Sequence, residues 1–223
     1  MKRNTFSIVL IIIGAMWTSG CSNDTASEDV QSTSIKDIET IHIDYGSTNV
    51  MLYSTNETEL VTSLRLFDNG PGLVMDKGKK EVKLRLKSDV KRLVKIGRMP
   101  QLAISIPTAF TGDLVLKGSS GNIIGEDLEL HQLEVHGSSG NVELDFKTFH
   151  SDIVVNLTSG NIHVQVNDEQ LDATVLLQSK SGRHSNEWKL DHHKQSKKTT
   201  SGTIGSGKYT VELKTTSGNI KLE

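Results

Sequence analysis

The sequence repeats one short phrase, Ser-Gly-Asn followed by Ile or Val, at intervals of about twenty residues. The phrase occupies residues 120–123, 139–142, 159–162 and 217–220, and two further Ser-Gly pairs begin at Ser181 and Ser201. Self-similarity at a period of this length is the sequence signature of repeat architectures, in which each repeat is one structural unit. The repeat therefore restricts the fold more than any other feature of the chain.

Apolar and polar residues alternate after each copy of the phrase. Val142, Leu144 and Phe146 alternate with Glu143 and Asp145, and a second alternating segment precedes each copy. A period of two is typical of a half-buried β-strand, because successive side chains point to opposite faces. Each repeat therefore contains two short strands and no helix.

A turn of about twenty residues cannot bury its own apolar face, whereas stacked turns bury one another's. The sequence predicts an all-β, single-domain β-solenoid with rungs of about twenty residues. Ile123, Val142 and Ile162 are expected to stack inward in one column. With aromatic residues at only 4% of the chain, the core must consist mainly of Val, Ile and Leu.

The repeated phrase itself predicts a tight corner between two strands. Glycine adopts positive φ without steric cost, and asparagine tolerates tight bends and can form ladders of stacked amides along a coil axis. A structural role accounts for every copy, and ligand binding by the asparagines is the alternative. The residues assigned to the structural turn are Gly121, Asn122, Gly140, Asn141, Gly160, Asn161, Gly218 and Asn219.

The repeat is less regular in two regions. At Ser181-Gly182 the expected Asn-Ile is replaced by Arg183-His184, and the segment 183–198 shows little alternation, which predicts a loop or a disordered rung. The repeat is most regular over 100–223 and weaker upstream, where STNVML at 47–52 resembles a corner with Thr48 in the glycine place. The N-terminal half is predicted to be the same solenoid with less regular rungs.

The first residues have the composition of an export signal. Lys2 and Arg3 precede an apolar run of twelve residues from Phe6 to Trp17, which is too short for a transmembrane helix of about 20 residues. The small residues of TSGC then lead to Cys21, the only cysteine. This pattern resembles a bacterial lipobox, which implies lipid attachment to Cys21, although Thr18 stands where the pattern usually has Leu.

Three interpretations of this segment remain open: a lipoprotein signal, an ordinary secretory peptide and an uncleaved anchor. All three place the rest of the chain outside the cytoplasm. The sequence predicts a signal peptide over 1–20, a lipid-anchored polar tether over 21–37 and a solenoid domain over 38–223. The expected location is the extracytoplasmic face of the cell membrane.

Three stretches of the chain resemble bacterial "putative-adhesin" families of unknown function. They are LAISIPTAFTGDLVLKGSSGNI, LEVHGSSGNVELDF and TIGSGKYTVELKTTSGNIKLE. The relatives include the head domain named for its Gly-Ile-Asn pattern (GIN type) and the LiaG-like envelope proteins. The resemblance covers roughly 38–223 and implies a β-helix exposed at the cell exterior, with no catalytic residues. The LiaG-like relatives imply a further option, an accessory role in the envelope-stress response.

Basic residues concentrate in one segment of a chain whose net charge is −2. Ten basic and two acidic residues lie between Lys77 and Arg98. Such a face would attract anionic lipid headgroups or anionic cell-wall polymers, and the alternative is a charged edge that prevents strands from aggregating. The candidate residues for contact with an anionic surface are Lys83, Arg85, Lys87, Lys91 and Arg92.

Several other chemistries are weighed against the sequence. The glycine-rich stretch 202–208 is close to a phosphate-binding loop, but the residues after it alternate as a strand and not as the required helix. His184, His192, His193 and Asp191 share one segment without a spacing typical of metal sites. No cofactor, metal site or nucleic-acid partner is predicted.

Two functions from different classes stay open. The first is a non-catalytic adhesion or binding module of the cell envelope, with anionic lipid headgroups, cell-wall polymers or an envelope protein as its partner. The second is a carbohydrate-active enzyme on a β-helix, for which outward acids such as Glu143, Asp145 and Asp152 would have to converge in a groove. A flat polar flank favours the binding module.

Overall fold

The computed structural model describes residues 27–66, 72–86 and 100–223, and these residues form β-strands joined by turns, without a helix. In chain order the first nine strands are β1 Ser27–Ser34, β2 Thr40–Gly46, β3 Asn49–Thr55, β4 Glu59–Leu66, β5 Leu73–Lys77, β6 Glu81–Leu86, β7 Gln101–Pro107, β8 Asp113–Gly118 and β9 Ile123–Leu128. The others are β10 Gln132–Ser139, β11 Val142–Phe146, β12 Asp152–Ser159, β13 Ile162–Val166, β14 Ala173–Ser181, β15 His184–Asn186, β16 Asp191–Gln195, β17 Thr199–Ile204, β18 Tyr209–Ser217 and β19 Ile220–Leu222. The predicted all-β class is confirmed.

The strands form two sheets whose apolar faces enclose one core. The nine-strand sheet has the order β1-β4-β7-β3-β9-β11-β13-β19-β15, and the ten-strand sheet has the order β16-β17-β14-β18-β12-β10-β8-β2-β6-β5. Each coil contributes one strand to each sheet, and neighbouring coils pair in parallel, as in β10 with β12 and β11 with β13. The result is a solenoid-like stack of parallel coils.

Chain order and stacking order differ at both ends of the stack. Along the axis the coils follow the order β6/β7, β2/β3, β8/β9, β10/β11, β12/β13, β18/β19, β14/β15. The coil β2/β3 therefore lies inside β6/β7, which follows it in sequence, and β18/β19 lies between two coils that precede it. The period of the sequence predicts the coils but not this order.

The interior consists of aliphatic columns that run along the axis. Ile123, Val142 and Ile162 occupy paired positions on β9, β11 and β13, and each is at most 2% exposed. Val50 and Ile220 extend the same column at its two ends. The predicted column is confirmed, and it is longer than the three repeats from which it was inferred.

The corners form a ladder of asparagines. The side-chain Oδ1 of each corner asparagine accepts the backbone N–H of the corner residue in the next coil, at 2.9 to 3.0 Å. The bonds connect amide to backbone, and only Asn161 also donates its Nδ2 to an amide oxygen, that of Asn141. The ladder runs, in order of stacking, through Asn49, Asn122, Asn141, Asn161, Asn219 and the N–H of Arg183.

Glycine is required at these corners by the distance between coils. Gly140 has a φ of 109°, and a Cβ placed on it would lie 2.1 Å from the carbonyl oxygen of Gly121. Gly160 stands in the same relation to Gly140, and Gly218 to Gly160. At the predicted degenerate corner, the carbonyl of Thr48 takes the equivalent place beneath Gly121. A side chain in this column would push two coils apart.

The segment predicted as a tether takes part in the fold. Residues 21–26 lie outside the described residues, but β1 pairs antiparallel with β4 along its whole length. Asp29 accepts the N–H of Leu73 at 2.8 Å, and Gln31 donates its Nε2 to the Leu73 carbonyl at 3.0 Å. These bonds tie β1 of the nine-strand sheet to β5 of the ten-strand sheet. The predicted start of the folded part at residue 38 is therefore wrong.

The C-terminal end of the stack also differs from expectation. Residues 183–198 were predicted as a loop or disordered rung, yet β15 pairs with β19 in register, with His184 in the inward column beside Ile220. Strands β16 and β17 then form an antiparallel hairpin against β14. The Ser201-Gly202 pair lies inside β17 and makes no corner. Glycine at this position leaves room for the side chain of Leu190. A Cβ added to Gly202 would lie only 2.8 Å from the Cβ of Leu190.

We expect Gly140→Ala to destabilise the fold by about 3 kcal/mol or more, because the added methyl meets a backbone oxygen and the backbone is strained at positive φ. Gly46→Ala is the matched control, since Gly46 has a φ of 53° but nothing within 4 Å of the added Cβ. That change should lower stability by only about 1 kcal/mol. Urea unfolding of both variants checks the difference, and equal losses would contradict a column that admits only glycine.

Candidate binding surface

The described part of the predicted basic face lies on β6, near one end of the ten-strand sheet. Lys83 Nζ lies 2.6 Å from Glu81 Oε1, and Arg85 donates to Asp76 Oδ2 at 3.1 Å. The Lys83 ammonium holds the pKa of the Glu81 carboxyl below its ordinary value. Both described cations are thus ion-paired on the sheet surface, while Lys87, Lys91 and Arg92 lie outside the described residues.

The histidines weighed as metal ligands do not converge. His184 points into the end of the core, where its two ring nitrogens are buried and find no hydrogen-bond partner among the described residues. His192 and His193 are exposed on β16, and His192 has a positive φ of 50°. Over 27–66, 72–86 and 100–223, no group of three or more His, Cys, Asp or Glu side chains could hold a metal ion.

The outward acids considered for glycoside chemistry are dispersed over two faces. Glu143 and Asp145 lie on β11 of the nine-strand sheet, whereas Asp152 begins β12 of the ten-strand sheet. Asp145 accepts the Nδ2 of Asn167 at 2.6 Å, and Asp152 accepts the N–H of Thr210 at 2.7 Å. Asp145 and Asp152 thus tie neighbouring segments together, and Asp152 lies on a different face from the other two acids.

The glycine-rich stretch 202–208 forms a tight turn around a carboxylate of the chain itself. Asp172 accepts the N–H of Lys208 at 2.9 Å and the hydroxyl of Ser206 at 2.9 Å. Gly205 and Gly207 have positive φ values of 65° and 75°, which let the turn close. These hydrogen bonds lower the pKa of Asp172, and the bond from Lys208 is the largest cause. The anion that this turn holds is therefore Asp172.

A surface that the sequence analysis did not predict lies on the outer face of the ten-strand sheet. Lys117, His136 and Asn156 occupy paired positions on β8, β10 and β12 and border a shallow depression of about 390 Å³. The sequence carried a signal for it, since all three residues stand at the same distance before a Ser-Gly corner. Their shared position becomes visible only when the coils are aligned.

The sequence profile described as Toastrack DUF4097 matches residues 104–223, more than half of the chain. The chain belongs to this family. The match begins within β7 and covers the regular coils with their corners. The resemblance to adhesin-type families of unknown function is thereby confirmed. Among curated proteins, none matches the chain.

Two solved structures similar to this Toastrack chain are described in adhesion terms. A "putative cell adhesion protein" of Clostridium sporogenes ATCC 15579 has a TM-score of 0.63 and 14% identity, covering 89% of this chain and 100% of its own. A "putative adhesin" of Bacteroides fragilis NCTC 9343 has a TM-score of 0.34 and 12% identity, covering 88% and 97%. At 14% identity, the first likeness concerns the fold alone.

The part of the Toastrack chain that the structure describes offers no helix of the length and apolarity needed to cross a membrane.

We expect Asp172→Asn to lower the thermal stability at neutral pH, because the ionised carboxylate accepts the hydrogen bonds of the turn. Since folding lowers the pKa of Asp172, its contribution is present above the unfolded pKa and disappears as the pH falls through the folded pKa. The difference between wild type and variant should therefore shrink on acidification. Thermal melts at neutral and strongly acidic pH measure it, with Glu169→Gln as an exposed control, and an equal difference at both pH values would refute the assignment.

Proposed function

We propose that this protein is a non-catalytic binding module of the bacterial cell envelope, displayed outside the membrane on a lipid attached to Cys21. One observation carries the proposal: the outward side chains form straight polar rows on two broad sheet faces, and the acids considered for catalysis are divided between those faces. Parallel coils repeat about every 4.8 Å. Such rows suit contact with an extended or flat partner.

The likeness to the Clostridium sporogenes protein supports an adhesion-like role, since that protein is described as a "putative cell adhesion protein". The lipobox-like sequence before Cys21 supports the location. An accessory role in the envelope-stress response, which the LiaG-like resemblance implies, would use the same display of a binding face at the membrane surface.

The basic face is the first candidate for the contact, through anionic lipid headgroups or wall polymers. The side chains of Lys83 and Arg85 are 54% and 63% exposed. Ion pairs this exposed contribute at most about 1 kcal/mol. The cations can therefore exchange their acidic neighbours for a surface of higher negative charge density, where each contributes about 1 kcal/mol.

If Cys21 carries the lipid, Cys21→Ala should shift the protein from the detergent phase to the aqueous phase or leave it unprocessed. The reason is that a lipid adds about 0.8 kcal/mol of membrane affinity per buried methylene. Detergent phase partitioning and intact mass of the protein from cells measure both effects, with Ser22→Ala as a control. A mass difference that equals the substitution alone, together with unchanged partitioning, would remove the lipid anchor from the proposal.

If the basic face contacts an anionic surface, reversing Lys83, Arg85 and Lys87 to Glu should abolish binding to anionic vesicles by the full chain carrying Cys21→Ala. Binding by the Cys21→Ala chain with an intact basic face should also collapse as salt rises, because the Debye length falls from about 10 Å at 0.1 M to about 3 Å at 1 M. Vesicle co-sedimentation measures both, and circular dichroism should not change.

The control for this reversal changes the same number of charges elsewhere. Lys194, Lys197 and Lys198 are exposed at the far end of the stack, and their reversal to Glu should leave most of the binding intact. Equal losses in both triple variants would mean that net charge, and not this face, determines the binding.

A further inference from the structure

A trough runs along the outer face of the ten-strand sheet, parallel to the coil axis. Because side chains two residues apart on a strand point to the same side, two outward rows border it. The first, here the amide-cation row, contains Lys117, His136, Asn156, Lys214 and Gln178 at paired positions. The second, here the hydroxyl row, stands two residues further along each strand and contains Ser119, Ser138, Thr158, Thr216 and Lys180.

The floor of the trough is backbone, because the residues between the two rows point into the core. Gly118 and Gly137 pair with each other on β8 and β10. The ring of Tyr45 fills the core beneath them: a Cβ on Gly118 would lie 2.3 Å from the ring, and one on Gly137 would lie 3.0 Å from the phenol oxygen. Tyr45 is 1% exposed, so the floor is supported from inside by packed core. The depression of about 390 Å³ lies over this floor.

Seven of the ten side chains in the two rows lack a polar partner in the described part of the protein, whereas Ser119, His136 and Lys214 have one. In the described part of the chain, no side-chain hydrogen bond or ion pair engages Lys117, Asn156, Gln178 or Lys180, and the hydroxyls of Ser138, Thr158 and Thr216 are equally unengaged. The other described face behaves differently: His163 contacts Glu223 at 2.6 Å, and Asn167 contacts Asp145 at 2.6 Å. Donors without internal partners are available to a ligand.

The five members of each row include no carboxylate, but Asp44 continues the amide-cation row on the next coil beside Lys117. Other acids stand one row away, where Glu134 contacts His136 and Glu212 contacts Lys214. Asp44, which follows Lys117 toward the β6 end, accepts the N–H of Gly46. Among the described residues Lys117 and Lys180 form no ion pair, so the trough presents two unpaired cations together with amides and hydroxyls.

We propose that this trough binds a strand of acidic polysaccharide, whose carboxylates contact Lys117 and the other cations and whose hydroxyls contact Asn156 and the hydroxyl row. The inference rests on the proposed function as a binding module and assigns its site and ligand class. The rows cross five coils, roughly 20 Å at about 4.8 Å per coil, a length that suits a polymer. A bilayer surface is flat and cannot reach a floor recessed between two rows.

The test measures binding of the full chain, purified in mild detergent, to immobilised alginate. Lys117→Gln removes a trough cation and Asn156→Asp adds a negative charge without changing side-chain size, so each should weaken binding about tenfold, and Lys117→Arg should retain it. Lys147→Gln and Gln165→Glu make the same chemical changes outside the trough and should leave affinity unchanged. Neutral dextran serves as the probe that has hydroxyls but no charge. Inorganic polyphosphate serves as the probe that has negative charge but no sugar hydroxyls.

The outcomes separate the trough from the proposed function. Alginate binding that exceeds binding to both other polymers and falls in the two trough variants alone supports the site. Alginate binding that ignores the trough variants but is lost on reversal of Lys83, Arg85 and Lys87 overturns the trough and leaves the binding module standing. Equal, Lys117-dependent binding of polyphosphate overturns the polysaccharide assignment. No binding of alginate by the wild type overturns the proposal, and absence of vesicle binding as well overturns the proposed function.

Discussion

The fold depends on how closely the backbones of neighbouring coils approach at one corner. Stacked corner glycines leave about 2 Å between the carbonyl of one coil and the Cβ position of the next, so any side chain there would separate the coils. At this spacing each corner asparagine reaches the backbone N–H of the following coil. The corner glycine sets the distance between two coils, and at that distance the corner asparagine can accept a hydrogen bond from the next coil. This bond fixes the register of the strands that begin at the corner.

The ends of the stack require a different solution, because a terminal coil has no neighbour to cover its apolar face. Antiparallel strands perform this role: β5 pairs with β6, β4 with β7, and β17 with β14. At one end Asp29 and Gln31 also bridge the two sheets through the backbone of Leu73. Lys77 adds a contact to the carbonyl of Ser34 at 2.7 Å. Polar side chains thus close an end that apolar ones would leave open to association with other sheets.

The sequence predicts features that recur and misses those that occur once. The corners and the column through Val142 follow from period and alternation, because each copy supports the others. Strand β1 carries no apolar alternation, since Asp29 and Gln31 form hydrogen bonds across the sheets. A run of basic residues is visible in sequence, but only the folded sheet brings Asp76 of β5 beside Arg85. Alternation likewise points single trough residues outward, and only the stacking places them in one row.

The displaced coil β18/β19 determines the sequence of events in folding. Strands β14 and β15 leave the ribosome, and cross the membrane if the chain is exported, before the strands that separate them from β12 and β13. Growth of the stack by adding each new coil to the last cannot produce this arrangement. Either β14 and β15 remain unpaired until β18 and β19 are synthesised, or they first pair with β12 and β13 and are later displaced by β18 and β19. The coil β18/β19 is therefore the last to be synthesised although it lies inside the stack, which differs from the end-to-end growth expected of a simple repeat protein.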